Sequence, residues 1–171
     1  MKQVIIINGK PGVGKDTLID FLRKEFVVCN YSTIDFIKEK ALELGWDGIK
    51  DTKGRIFLAG LKALVVDYNH NIINTQTRKR YKQFLSDNTY DIMFIHIREP
   101  KEIERFIKLV KEETSNIKTL LIRGGRNDII CTESDRNVEL YDYDFIYNNN
   151  LPLHLAEDDF INWVKNKIIG E

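Results

Sequence analysis

The chain has 171 residues, enough for one domain with a substantial core, and its 26 basic and 26 acidic side chains give a net charge of zero. A neutral chain lacks the overall positive charge with which proteins bind nucleic acid or an anionic membrane, so any anion site must be local. Cys29 and Cys131 lie far apart with no metal-ligand spacing, which favours free thiols in a reducing compartment over a disulfide or a zinc site.

No apolar run in the sequence approaches membrane-spanning length, and the run at residues 4–7 is too short for a signal peptide. We therefore expect a cytoplasmic protein with no nucleic-acid or membrane partner. Because the chain has no linker, repeat or low-complexity segment, we expect a single domain over residues 1–171.

A glycine-rich stretch follows the first predicted strand, the β-branched run at 4–7, and precedes a predicted amphipathic helix at 15–26. Glycines in such a turn let consecutive backbone N–H groups curl around an anion, and the helix N-terminus adds unpaired donors and the positive end of its dipole. The stretch predicts a phosphate-binding loop made of Gly9, Lys10, Pro11, Gly12, Val13, Gly14, Lys15, Asp16 and Thr17. The alternative is a glycine-rich turn that binds nothing.

The loop departs from the strict pattern, Gly-x4-Gly-Lys followed by Ser or Thr, at one place. Gly9, Gly14 and Lys15 fit, but Asp16 stands where the Mg²⁺-binding hydroxyl is usual, and Thr17 comes one residue later. We expect Lys15 to reach the β- and γ-phosphates and either Asp16 or Thr17 to hold Mg²⁺, directly or through water.

The rest of the chain alternates between predicted strands and helices. Further strands are expected at 27–31, 91–98, 117–122 and 143–147. Helices are expected from an N-cap at Ser32 or Thr33 to Gly45, over 52–68, over 75–86, from Pro100 to 110, and over 155–169. This alternation predicts an α/β fold with a central five-stranded parallel sheet and helices on both faces.

Arg98 ends a predicted strand, at the sheet edge where ligands of such folds bind. It is our candidate ligand for the phosphate of an acceptor, because a planar guanidinium makes bidentate contacts with oxygens. An ion pair with Glu99, Glu102 or Asp35 is the alternative.

Two more acceptor-site candidates lie in the helical insertion predicted at about 32–88. Arg55 is one, and its alternative is a surface pair with Asp51 at i,i+4 spacing. Asp35 is the other, and because it follows Ser32 by three residues, its carboxylate suits a capping box equally well.

A polar stretch at about 123–137 contains two glycines and three arginines. Phosphoryl transfer needs positive charge around the transferring group, where negative charge develops on the equatorial oxygens. A mobile loop with arginines can cover the phosphates and exclude water. We therefore expect a lid whose Arg123, Arg126 and Arg136 contact the transferring group, with a solvated surface loop as the alternative.

Several short segments share their order with a known family: Gly-Lys-Asp-Thr at 14–17, Phe-Ile-Lys at 36–38, Gly-Ile-Lys-Asp at 48–51 with Arg55, Arg-Glu-Pro-Lys-Glu at 98–102, Thr-Glu at 132–133, and Asp-Phe-Ile-Tyr-Asn-Asn at 144–149. Together they resemble the phage-type deoxynucleoside monophosphate kinases. The resemblance implies a P-loop NTPase fold of the nucleoside monophosphate kinase type, a three-layer sandwich, with ATP and Mg²⁺ as cofactors and an arginine-bearing lid.

The chain departs from this family at the end of its central strand. The family typically shows Asp-x-Arg there, whereas this chain has His96-Ile97-Arg98. Arg98 carries over, but the carboxylate that helps to hold the Mg²⁺ shell does not. On its own, a single histidine such as His96 is more typical of a core residue than of a catalyst.

The function predicted from the sequence is ATP-dependent phosphorylation of a small phosphorylated acceptor, with a (deoxy)nucleoside monophosphate as first choice. No general base is needed when the nucleophile is an anionic phosphate oxygen. The alternatives are a P-loop kinase for another small metabolite, with Asp35 as base if the acceptor is a hydroxyl, and a nucleotide-binding regulatory module with little turnover. A homodimer is compatible with the sequence.

Overall fold

The computed structural model describes residues 2–113, 116–124 and 137–170. Its five strands are β1 (Gln3–Asn8), β2 (Val28–Ser32), β3 (Ile92–His96), β4 (Ile117–Gly124) and β5 (Phe145–Asn149). They form one sheet in the order β2-β3-β1-β4-β5, and every pairing is parallel. The carboxyl ends of all five strands therefore share one edge, with β1 at the centre.

Helices connect the strands and cover the sheet. In the described part of the chain they are α1 (Lys15–Leu22), α2 (Asp35–Glu43), α3 (Thr52–Tyr68), α4 (Ile72–Ser86), α5 (Pro100–Val110) and α6 (Leu153–Val164). A 3-10 helix at Asn137–Leu140 precedes β5, and a π-helical turn at Lys165–Ile169 continues α6. The predicted five-stranded parallel α/β architecture is confirmed.

The sheet is buried on both faces, and all six residues of β1 are buried. On one face, Ile5 belongs to a cluster with Leu18 of α1 and Phe160 of α6. On the other, Ile6 belongs to a cluster with Phe106 of α5 and several residues of α4. Successive strand residues point to opposite faces, so the continuous apolar run predicts a strand between two helical layers.

A smaller cluster joins α2, α3 and the start of α4, at Ile37, Ala41, Leu58 and Ile73. These three helices lie between β2 and β3 in the chain and correspond to the predicted helical insertion. Among the described residues, no helix has both the length and the apolar composition that a membrane crossing requires. Cys29 is a buried free thiol, whereas Cys131 lies outside the described residues.

The predicted helix ends need correction near the first two helices. The helix predicted to reach residue 26 ends at Leu22, because the next amides, from Arg23 to Glu25, bond to carbonyls three residues back and tighten the chain into a turn. The predicted N-cap at Ser32 or Thr33 is also wrong. Ser32 belongs to β2, and the N-cap of α2 is Ile34, without a side-chain cap.

Two strand boundaries also differ from those predicted. β4 was predicted to end at 122 but continues to Gly124, because Arg123 and Gly124 pair in register with Asn148 and Asn149 of β5. β5 begins at Phe145 instead of at Tyr143, and the Tyr143 side chain has another use, described below. The remaining ends differ by a few residues: α4 begins at Ile72, β3 covers Ile92–His96, and α6 with its π-helical turn covers 153–169.

Candidate phosphate-binding site

The loop between β1 and α1 has a conformation that only glycine permits at its key positions. Gly9, Gly12 and Gly14 have φ values of +149°, +77° and +87°. A Cβ on Gly9 would lie 2.6 Å from the backbone oxygen of Ile122, and one on Gly14 would lie 2.7 Å from Nδ2 of Asn149. The loop is therefore packed against the carboxyl ends of β4 and β5.

The loop offers backbone donors that nothing in the described chain uses. No described residue accepts a hydrogen bond from the N–H groups of Gly12, Val13, Gly14 or Asp16. Gly14 is the N-cap of α1 and supplies no side chain to cap the helix. Unsatisfied N–H groups beside the positive end of a helix dipole form an anion site, so the loop fits the phosphates of a nucleotide.

Lys15 brings a positive charge to this loop. Its Nζ donates to the backbone oxygens of Gly9 at 2.6 Å and Lys10 at 3.0 Å. The ammonium group is thus folded back over the loop that would hold the anion. The contact between Lys15 and the β- and γ-phosphates stays a prediction.

The two predicted metal ligands stand at the start of α1, where both are exposed: the side chain of Asp16 is 82% exposed. Among the described residues there is no group of three or more His, Cys, Asp or Glu side chains that could hold a metal ion. Mg²⁺ commonly keeps several waters and takes only one or two protein oxygens together with substrate phosphates. The Asp16 carboxylate and the Thr17 hydroxyl fit such a sparse protein contribution.

His96 lies beside this metal candidate, at the carboxyl end of β3. Its Nε2 is 2.7 Å from Oδ1 of Asn30 and 3.8 Å from Oδ1 of Asp16. Burial lowers the pKa of His96 to about 4, although the Asp16 carboxylate acts in the opposite direction. His96 is therefore neutral at pH 7, and the tautomer that suits both oxygens carries its proton on Nε2. The sequence favoured a core role, but the structure places this side chain at the edge of the site.

Asn8, the last residue of β1, connects the loop to the next strand. It is 1% exposed, and its Oδ1 accepts the backbone N–H of Gly9 at 2.9 Å. Its Nδ2 donates to the backbone oxygen of Arg98 at 2.9 Å and to the hydroxyl of Tyr143 at 2.8 Å. One buried amide thus fixes the spacing between the phosphate loop and the segment that carries Arg98. The sequence analysis missed this role.

Tyr143 completes the network around Asn8. Its hydroxyl donates to the backbone oxygen of Val138 at 2.9 Å, and burial raises its pKa to about 12, so it remains protonated. The ladder of β5 begins only after Asp144, whose carboxylate accepts the backbone N–H of Thr119 at 2.8 Å. A second amide, that of Asn149, holds the loop from the other side: its Nδ2 donates to the backbone oxygen of Val13 at 2.9 Å.

The first two acceptor candidates follow β3 and β2. Arg98 was predicted to end a strand, but β3 ends at His96 and Arg98 is exposed in the segment that follows, where the bond between its backbone oxygen and Asn8 holds it. Asp35 uses its carboxylate locally, since Oδ2 accepts the N–H of Ser32 at 2.8 Å and Oδ1 contacts Nζ of Lys38. The bond from Ser32 resembles one half of the capping box that was the alternative for this residue, but the N-cap of α2 is Ile34, so the box itself is not formed.

The third acceptor candidate, Arg55, lies on α3 and is exposed. Its Nε donates to the backbone oxygen of Lys50 at 3.0 Å. No ion pair joins it to Asp51 within the described chain, because that carboxylate caps α3 by accepting the N–H of Gly54 at 2.7 Å. The structure therefore shows neither the predicted surface pair nor a contact with the phosphate loop.

Of the predicted lid arginines, only Arg123 lies within the described residues, and it belongs to β4 instead of a loop. Its Nε and Nη2 donate to Oε2 of Glu139 at 2.9 and 2.7 Å, in a partly exposed ion pair. Arg126 and Arg136 lie outside the described residues, as does most of the predicted lid at 123–137.

Comparison with known proteins identifies the fold. No protein-family model matches the chain, and no curated protein matches it in sequence. A shikimate kinase from Aquifex aeolicus vf5 is similar in structure, with a TM-score of 0.53 and 13% identity over 99% of this chain and 100% of that one. TT1252 from Thermus thermophilus has a TM-score of 0.53 and 15% identity, over 97% of this chain and 98% of that one. A gluconokinase from Sinorhizobium meliloti 1021 has a TM-score of 0.51 and 11% identity, over 98% of this chain and 94% of that one. At such low identity the likeness concerns the fold alone, and it confirms the expected P-loop NTPase fold.

Proposed function

We propose that the chain is an ATP-dependent kinase that phosphorylates a small phosphorylated acceptor, with a (deoxy)nucleoside monophosphate as the preferred class. The observation that carries the proposal is the loop after β1, where unused backbone donors and the ammonium of Lys15 converge at the ligand-binding edge of a parallel sheet. A fold shared with proteins named as kinases supports phosphoryl transfer as the use of this loop.

In this proposal the loop residues 9–17 and Lys15 bind and orient the β- and γ-phosphates of ATP. Asp16 or Thr17 holds Mg²⁺, which when bound supplies positive charge against the phosphate oxygens. Arg123 adds positive charge for the transferring group, together with Arg126 and Arg136. Since the paired Glu139 carboxylate neutralises Arg123 in the described structure, this role requires Arg123 to leave that pair.

Arg98 binds the phosphate of the acceptor in this scheme. Its backbone is tied to the same Asn8 side chain that holds Gly9, so acceptor and donor sites are positioned by one buried group. An anionic phosphate oxygen attacks without losing a proton, so the site needs no general base. Asp35, the candidate base for a hydroxyl acceptor, is already bonded to Ser32 and Lys38, which argues against that alternative.

One observation supports a second candidate, a nucleotide-binding regulatory module with little turnover. Beside Asp16 the chain has His96, which is neutral at pH 7, in the place where the resembled kinases have an acidic side chain. A neutral group contributes no negative charge to a Mg²⁺ shell. On this alternative ATP binds to the loop but is not turned over, and His96→Asp would raise turnover.

Binding is tested by calorimetric titration of the protein with ATP and Mg²⁺. Lys15→Met should weaken ATP binding at least about tenfold, because charge-assisted contacts with phosphate are among the strong ones. Lys79→Met is the matched control, since Lys79 is exposed on α4 and has no part in the loop. Equal affinity of Lys15→Met and the wild type would refute the assignment of the loop.

A further inference from the structure

Helix α3 has one face in the protein and one face in solvent. Its buried side consists of Gly54 and Leu58, with Leu61 and Val65 packed against the cluster between α2 and α4. The side that carries Gly60 is exposed, and its large apolar side chains are Ile56, 69% exposed, and Leu64, 71% exposed. Phe57 and Tyr68, 37% and 94% exposed, lie between this side and the buried one. Large apolar side chains exposed on one side of a helix can mark a site of interaction with another protein.

The exposed face, which we call the α3 outer face, is symmetric about Gly60. Successive residues of a helix are about 100° apart around its axis. Seen along the axis, Ile56, one turn before Gly60, and Leu64, one turn after it, therefore lie on opposite sides of Gly60. Lys53 and Asp67 lie two turns away in the two directions, almost in line with it. A Cβ on Gly60 would find no atom within 4 Å, so no described part of the chain covers the centre of this face.

A glycine at this point is unfavourable for an isolated helix, because alanine is the better helix former at an exposed interior position. Glycine does allow a second helix to approach the backbone closely. Lys53 and Asp67 also make no ion pair within the described residues, although they stand at the two ends of the face. The centre is therefore open and apolar, and each end carries one unpaired charge of opposite sign.

We propose that the α3 outer face docks on the α3 outer face of a second copy of this chain, as an antiparallel pair with the two-fold axis beside Gly60. In such an isologous contact, a residue before Gly60 faces the one equally far after it in the other copy. Ile56 then faces the second copy's Leu64, and Lys53 faces the second copy's Asp67. The symmetry generates each contact twice.

Charge complementarity selects this occupant and this direction. The antiparallel pair places Lys53 against a carboxylate at both ends, around an apolar centre, which is the usual arrangement of a polar rim around an interface core. A parallel pair would place Lys53 against Lys53 and Asp67 against Asp67, and like charges so placed oppose association. The inference is independent of the proposed function, because none of these residues belongs to the phosphate-binding site.

The test is sedimentation equilibrium of the full chain over a micromolar concentration range. The wild type should reach twice the monomer mass of 20.1 kDa. Lys53→Asp should raise the dissociation constant of the dimer about tenfold or more. At each end of the helix pair, the new carboxylate would face the carboxylate of the second copy's Asp67. The double variant Lys53→Asp/Asp67→Lys reverses both pairs and should recover most of the association. Lys79→Asp on α4, an exposed charge reversal outside the face, should change nothing.

Two results would overturn the inference: a wild type that stays monomeric throughout, or a dimer whose dissociation constant is unchanged by both Lys53→Asp and Leu64→Asp. A double variant no stronger than Lys53→Asp would equally refute the antiparallel register. All the substituted side chains are exposed, so the variants should fold, and their circular dichroism spectra verify this before sedimentation.

Discussion

The side-chain amide of Asn8 donates a 2.9 Å hydrogen bond to the backbone oxygen of Arg98, a residue 90 positions later in the chain. The other end of the same amide accepts the backbone N–H of Gly9, the first residue of the phosphate loop. Because Asn8 is almost fully buried in the central strand, its side chain holds Gly9 and the backbone of Arg98 at a fixed distance from each other. The donor and acceptor halves of the proposed site are therefore spaced by one side chain.

Asn8→Ala should lower both the stability of the protein and its affinity for ATP. The substitution leaves the N–H of Gly9, the oxygen of Arg98 and the hydroxyl of Tyr143 without this partner, and an unsatisfied buried polar group costs about 1–3 kcal/mol. Urea unfolding measures the loss of stability, and calorimetric titration measures the affinity. Asn88→Ala, at an exposed position between α4 and β3, is the control and should change neither quantity.

Asn149→Ala should weaken ATP binding while leaving most of the stability in place. Nδ2 of Asn149 holds the backbone oxygen of Val13, so its loss frees one side of the loop. The expected loss is about fivefold in affinity, since a typical net hydrogen bond contributes about 1 kcal/mol to the ordered loop. Asn148→Ala, the exposed neighbour on the same strand, should bind ATP as the wild type does. Equal effects of the two substitutions would contradict the role assigned to Asn149.

Substitutions of the two partners in the Arg123–Glu139 ion pair distinguish a structural from a catalytic role of Arg123. If Arg123 serves the transferring phosphoryl group, Arg123→Ala should lower kcat at least about 100-fold, as the loss of a preorganised charge contact typically does. Glu139→Gln should leave kcat close to that of the wild type, because it removes the partner and keeps the guanidinium. If both variants lose activity to the same extent, Arg123 acts only through its pair.

His96 should make the stability of the nucleotide-free protein depend on pH. Its folded pKa of about 4 lies below its ordinary value of 6.5, so the unfolded chain takes up a proton, as pH falls from 7 towards 4, that the folded chain does not bind. The stabilisation is present above pH 6.5 and is lost as pH falls. Between pH 7 and pH 5 the free energy of unfolding should drop by about 2 kcal/mol on account of this group.

The measurement is urea unfolding at both pH values for the wild type, His96→Gln and His154→Gln. Between pH 7 and pH 5 the free energy of unfolding of His96→Gln should fall by about 2 kcal/mol less than that of the wild type, because glutamine does not titrate in this range. His154 is exposed on α6, so His154→Gln should retain the full drop of the wild type. Identical pH dependence in all three proteins would contradict the shifted pKa.

Local patterns predicted the elements whose residues interact with near neighbours. The helix expected at 52–68 is observed as Thr52–Tyr68, since its apolar spacing lies within the segment and its cap, Asp51, is the residue directly before it. The glycine-rich turn between β1 and α1 was equally readable, because its glycines and its flanking elements are contiguous. The strand predicted to end at Arg98 ends at His96, so Arg98 lies in the segment that follows β3.

The parts that sequence reasoning missed depend on contacts between distant segments. Nothing near Asn8 in the sequence indicates that its amide bonds to Arg98 and to Tyr143. His96 was assigned to the core because a single histidine is more typical of a core residue than of a catalyst. Only the arrangement of β2, β3 and α1 brings it to Asn30 and Asp16.

The central claim is acceptor-dependent phosphoryl transfer, and coupled detection of ADP release tests it most directly. Wild type, Arg98→Ala and Lys79→Ala are assayed with ATP and Mg²⁺ against ribo- and deoxynucleoside monophosphates and other phosphorylated metabolites. We expect the wild type to turn over one acceptor class. Arg98→Ala should lower kcat for that acceptor at least about 100-fold, whereas Lys79→Ala should have the kcat of the wild type. ATP binding without release of ADP for any acceptor would contradict the kinase and favour the regulatory module.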